Sequence, residues 1–90
     1  MTNNEEKTRT KVSIFGQEYI VIGEKSSNHI VKVAEEVDKL MTVIHKSNPS
    51  MPHSKIAVLA ALNLADDLIK TKEDYQWLMD LIEDEKKSDR

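Results

Sequence analysis

The spacing of apolar positions divides the chain into three stretches with different periods. Between Arg9 and Gly23, two β-rich runs, KVSIF and EYIVI, flank Gly16-Gln17. Glycine first in a two-residue connection suits a type II′ turn, so this stretch predicts a β-hairpin. Closed there, Phe15 faces Glu18, Ile14 faces Tyr19 and Val12 faces Val21. Side chains alternate along a strand, which collects Val12, Ile14, Tyr19 and Val21 on one apolar face. The opposite face, with Lys11, Ser13, Phe15, Ile20 and Ile22, is only partly apolar. A two-stranded hairpin alone is marginal in water, so its apolar face needs helices. Its free edges also invite another chain.

The second stretch has helical period. Ile30, Val33, Ala34, Val37, Leu40, Met41 and Ile44 recur at intervals of three and four and predict one amphipathic helix, capped by Ser27 or Asn28. On its other side Lys32, Lys39 and Lys46 stand seven apart, close to two helical turns, and form a basic stripe. SNPSMPH (47–53) then breaks the chain, and Ser54 is placed to cap a second helix.

From Ser54 to Glu83 there is neither proline nor glycine. A helix of that length spans ~45 Å, whereas a compact domain of this size has a radius of gyration of ~13 Å. It is therefore expected to project beyond its own globular part. Its first segment, IAVLAALNLA (56–65), is apolar all round except Asn63, which reads as a buried amide fixing the packing. The small residues Ala57, Ala60, Ala61 and Ala65 would let another helix approach closely. Heptad spacing then links Val58, Ala61, Ala65, Leu68, Lys72, Tyr75, Met79 and Ile82 as the a and d positions of a coiled coil, the expected dimer interface. Lys72 weakens that seam locally. Leu64, Leu78 and Leu81 lie beside it and widen it, and Trp77 lies outside it. The pattern leaves open both parallel and antiparallel pairing.

Ninety residues is one domain at most, and a chain this short is marginal as a lone monomer. Cysteine is absent, which removes disulfides and thiolate chemistry and leaves self-association as the available support. Only 4% of residues are aromatic, so the core is aliphatic. The net charge is −3 and the pI near 5.6, without the basic footprint of a general nucleic-acid binder. Charge is nevertheless polarised. Residues 25–55 hold five lysines against three acids, net +2, while residues 66–90 hold five basic residues against nine acids, net −4. The longest apolar run, Ile56 to Leu62, is far below a membrane span, and MTNNEEKTRT is no secretory signal. A soluble cytoplasmic protein is expected.

Little here points to catalysis. The two glycines do not make a phosphate loop. His29, His45 and His53 lack metal-ligand spacing, and the latter two read as exposed residues at the edges of a loop. Glu35-Glu36, Asp66-Asp67 and Glu73-Asp74 are adjacent on helices and point apart, as solvated faces do. Glu35 is also placed to pair with Lys39 one turn on. No enzyme activity, cofactor or metal is expected. The basic stripe is the exposed feature that calls for a partner, an acidic one. The composition also admits a small dimeric DNA-binding module or a generic coiled-coil adaptor. The acidic pI and the length of the second helix speak against DNA.

The hairpin with Phe15-Gly16 at its tip, the capped helix and SKIAVLAALNLADDLIKTKEDY, in that order, resemble the ZapA family of bacterial cell-division proteins. The likeness runs from about Lys11 to Leu81 and is most specific over LAALNLADDL (59–68). It implies an α+β fold, with the hairpin and short helix packed on a long helix that forms a coiled-coil dimer. Mapped here, residues 1–8 would be a disordered tail, 9–65 the head, 66–83 the stalk and 84–90 a frayed end. The resemblance further implies a non-enzymatic protein that binds filaments of the tubulin-like GTPase FtsZ and cross-links them at the mid-cell division site. It implies a homodimer or a tetramer, with no nucleic-acid or membrane partner. Lys32, Lys39 and Lys46 are the candidate partner-binding residues.

Overall fold

The computed structural model describes residues 7–88, with side chains as far as Glu85. Four elements follow one another: β1 (Thr8–Ile14), β2 (Gln17–Gly23), α1 (Ser27–Ser47) and α2 (His53–Ser88). Most of the tail expected over residues 1–8 lies outside the described residues, but Thr8 opens β1. The long helix runs on to Ser88, past Glu83.

The strands pair antiparallel, with Ile14 opposite Gln17, Val12 opposite Tyr19 and Thr10 opposite Val21. The connection is therefore Phe15-Gly16 rather than Gly16-Gln17. Phe15 has φ 50° and Gly16 φ 83°, both left-handed, as a type I′ turn requires. The expected type II′ turn is thus displaced by one residue and each strand pairing by two. A shift of two preserves the period of the strand, so Val12, Ile14, Tyr19 and Val21 still share a face. A left-handed phenylalanine costs ~1–2 kcal/mol. That cost is offset by tertiary contacts at the tip, described below, which the local pattern does not contain.

The cap of α1 is Ser26, one residue before Ser27 and two before Asn28, the caps expected from the sequence. Ser26, with extended backbone, accepts a hydrogen bond from the His29 N–H at 3.2 Å. At the other end the Asn48 N–H donates to the carbonyls of Ile44 and His45. In α2 the first acceptor is the Pro52 carbonyl, which receives the N–H groups of Lys55 and Ile56 at 3.1 Å. Ser54 therefore lies inside the first turn and is not the cap. Asp66 and Lys70 form an ion pair one turn apart at 3.1 Å, whereas the expected pair of Glu35 and Lys39 does not form.

The chain divides into two compact units, residues 1–60 and 61–90. In the first, α1 lies on the β1 half of the hairpin. Val12, Ile30 and Ala34 are buried together, with Ile14 packed against them. Thr10, also buried, meets Ser27 hydroxyl to hydroxyl at 2.9 Å, and the Thr8 hydroxyl donates to the Lys25 carbonyl at 2.8 Å. The first of these bonds satisfies the one polar side chain that the hairpin buries, and the second ties its open end to the following turn. A second cluster joins Met41 to Ile56 and Ala60, with Phe15, Leu40 and Ile44 around it. Ala60 is thus used within the chain's own core rather than against another helix. Two expectations for the helical and strand faces are corrected: Val33 is half exposed, and Tyr19 and Val21 are left uncovered because α1 packs against β1 rather than across both strands.

The second unit is the remainder of α2. It is a helix whose large apolar side chains, Leu68, Ile69, Tyr75, Trp77, Leu78, Met79, Leu81 and Ile82, all remain substantially exposed in the single chain. Asn63, expected to be buried, is exposed as well.

Candidate interaction surfaces

α1 presents its buried stripe to the hairpin and its other face to solvent. Lys32, Lys39 and Lys46 are all exposed, and none is in an ion pair among the described residues. Helical spacing interleaves Glu36 and Val43 with them, and Val43 is also exposed. The row is therefore mixed, a cationic strip with one apolar residue near its end.

The hairpin tip is built from three parts of the chain. The Phe15 N–H donates to an Asp38 carboxylate oxygen at 2.6 Å, a short bond to a charged acceptor. The Phe15 ring meets the His45 ring at 5.5 Å and 69° and the His53 ring at 4.7 Å and 60°, both edge-on. His45, read from the sequence as an exposed loop residue, is half-buried, with its Nδ1 buried and without a hydrogen-bond partner. This cluster is not visible in the spacing of the histidines. The usable signal is that His45 and His53 bracket the proline-containing loop, which returns the chain to the hairpin tip.

Beside the tip, the uncovered half of the hairpin opens a groove of about 660 Å³. Its walls include Tyr19, Ile20 and Val21 of β2, Met41 of α1, and Ser54 and Ala57 of α2. The lining is mostly apolar.

The expected seam residues Val58, Ala61, Ala65, Leu68, Lys72, Tyr75, Met79 and Ile82 are all exposed in the single chain. Tyr75 and Trp77 are among the most exposed large side chains, at 64% and 66%. Among the described residues no group of three or more histidine or carboxylate side chains could hold a metal ion. No described helix is long and apolar enough to cross a membrane. What the molecule brings to its surface is a cationic strip, an apolar groove and a long apolar helix face, and such surfaces act by binding.

The comparisons with known proteins agree with this architecture. The family model "Cell division protein ZapA" matches residues 10–89. A protein of that name from Geobacillus sp. (strain WCH70) is 45% identical over 82 residues, covering 91% of this chain and 94% of its relative. One from Bacillus thuringiensis (strain Al Hakam) is 44% identical over 72 residues, covering 80% and 81%. Among solved structures, the "ZapA mutant dimer from Geobacillus stearothermophilus" is similar with a TM-score of 0.74 and 38% identity, covering 92% of this chain and 95% of that one. With the hairpin, the capped helix and the long helix in the same order and nearly the whole length matched, the chain belongs to the ZapA family of cell-division proteins.

Proposed function

We propose that this protein works as a homodimer that binds FtsZ filaments through its head and cross-links them, supporting division-ring assembly at mid-cell. The observation that carries this reading is the uncovered apolar row on α2. Val58, Leu68, Tyr75, Met79 and Ile82 recur at heptad spacing and are each at least one-third exposed in the single chain. An apolar seam of that length is stable when a second helix covers it. The similar solved structure is a mutant ZapA dimer from Geobacillus stearothermophilus, which supports pairing of two copies here.

A two-fold dimer carries two copies of every head surface. Two weak contacts on one body engage neighbouring filaments with a raised effective concentration. Lys32, Lys39 and Lys46 supply the filament-binding charge in this reading, since they are exposed and in no ion pair among the described residues. Sedimentation of purified FtsZ filaments, with light-scattering mass of the protein alone, tests both halves. The wild-type chain should sediment with the filaments and thicken them into bundles. The triple Lys32→Glu, Lys39→Glu, Lys46→Glu variant should keep its mass and lose at least tenfold in co-sedimentation. Unchanged co-sedimentation removes the lysines from the mechanism. A wild-type chain that stays in the supernatant removes the FtsZ assignment itself.

A further inference from the structure

We propose that the lysine row of α1 takes a helix as its partner, one with carboxylates seven residues apart and an apolar residue between two of them. The inference rests on the reading of Lys32, Lys39 and Lys46 as filament-binding charge and adds the shape of what they bind.

The row has a fixed order. Lys32, Glu36, Lys39, Val43 and Lys46 follow one another at alternating steps of four and three residues, all exposed on α1. Such steps keep the five residues on one narrow stripe of the helix. Glu35 stands four residues before Lys39 and Glu36 four after Lys32, positions from which an ion pair could close. Neither closes, and none of the three lysines is in an ion pair among the described residues. Val43, between Lys39 and Lys46, is 60% exposed. A valine there adds little to helix propensity, but it offers an apolar contact between two cations.

The spacing selects the conformation of the partner. Neighbouring lysines of the row are ~10.5 Å apart along the helix axis, and the row spans ~21 Å. On a partner helix, residues seven apart recur at the same ~10.5 Å and on one face, with a drift of ~20° per heptad. Two helices crossing at ~20° absorb that drift, so three carboxylates can meet three lysines at once. An extended segment rises ~3.3 Å per residue, and its side chains alternate between faces. Six residues of it span ~20 Å and reach from Lys32 to Lys46. The residue midway, three along, points away from Lys39. A strand therefore serves two of the lysines and a helix serves all three.

Glu36 and Val43 set the register. Sliding the partner by half a heptad would put one carboxylate against Glu36 and another against Val43. The first contact is repulsive and the second leaves a charge against an apolar side chain. In the matched register the residue facing Val43 is apolar and the residue facing Glu36 is not acidic. The row thus specifies a pattern and not only a net charge.

The test titrates the full-length protein into fluorescently labelled helical peptides of alanine and glutamine, read by anisotropy at low salt, where exposed ion pairs are least screened. The matched peptide carries three glutamates seven residues apart on one face, with a leucine about midway between each pair. The control peptide has the same composition with its glutamates on three different faces. The wild-type chain should bind the matched peptide at least tenfold more tightly than the control. Lys39→Gln with Val43→Lys keeps three cations on this face of α1 and the same net charge but breaks their order, and it should bind the two peptides alike. Val43→Ser should weaken matched binding severalfold. Both variants change exposed positions and should keep the wild-type circular dichroism. Equal binding of the two peptides by the wild-type chain, or no binding of either, overturns the proposal. So does a preference that survives Lys39→Gln with Val43→Lys. Duplex DNA that binds more tightly than the matched peptide would make the row a phosphate-binding surface and overturn it as well. Sedimentation with FtsZ is scored separately. A chain that ignores the filaments but selects the matched peptide loses the FtsZ assignment and keeps its helical partner.

Discussion

Replacing Leu68 and Met79 by glutamate asks whether the long helix is held by a second copy. In the single chain Leu68 is 54% exposed and Met79 36% exposed. Full burial of such a side chain contributes ~1.5–3 kcal/mol, so pairing gains ~1 kcal/mol at Leu68 and ~0.7 kcal/mol at Met79. A two-fold dimer loses each contribution twice, ~3–4 kcal/mol in all. At ~1.4 kcal/mol per decade this alone raises the dissociation constant ~10²–10³-fold. Four carboxylates entering an apolar seam add desolvation and mutual repulsion to the same side. Glutamate is a good helix former, so the substitutions act on pairing rather than on local helix propensity. Sedimentation velocity at micromolar concentration, with far-ultraviolet circular dichroism, reads the outcome. The double variant should be monomeric, with its helix content reduced where the rod has lost its cover. A double variant of dimer mass and unchanged helicity would refute the seam and with it the reason for two copies.

Three further substitutions probe the head, each read as a urea midpoint at fixed protein concentration because dimerisation makes stability concentration-dependent. Asp38→Ala removes the acceptor for the Phe15 N–H and should cost ~1–3 kcal/mol, while Asp38→Asn, which retains an acceptor oxygen, should recover part of the loss. Unchanged stability in the alanine variant would mean the tip is not held from α1. Gly16→Ala should cost ~1 kcal/mol, entirely through backbone conformation, since an added Cβ at φ 83° meets no atom within 4 Å. Ile56→Val trims the side chain that is 0% exposed between Met41 and Ala60 and should cost ~0.5–1.5 kcal/mol. A neutral result there would displace Ile56 from the centre of the core.

Alternation, helical spacing and the two prolines specify which segments become strands and helices, and the structure follows them with bounds shifted by one to five residues. These features are legible because each reports a local constraint: the pleat of a strand, the pitch of a helix, or a missing amide proton. The turn is not legible in the same way, because local rules put glycine first. The structure puts Phe15 there, since Asp38 and the rings of His45 and His53 hold it from elsewhere in the chain. The three lysines and the heptad row are legible as surface because helical period alone puts them on a face. The groove is not, for the placement of α1 over β1 alone has no signature in any single segment. The sequence by itself thus determined the elements and the residues available to bury. The tertiary structure decided which of them one chain can cover, because burial depends on which surfaces meet in space.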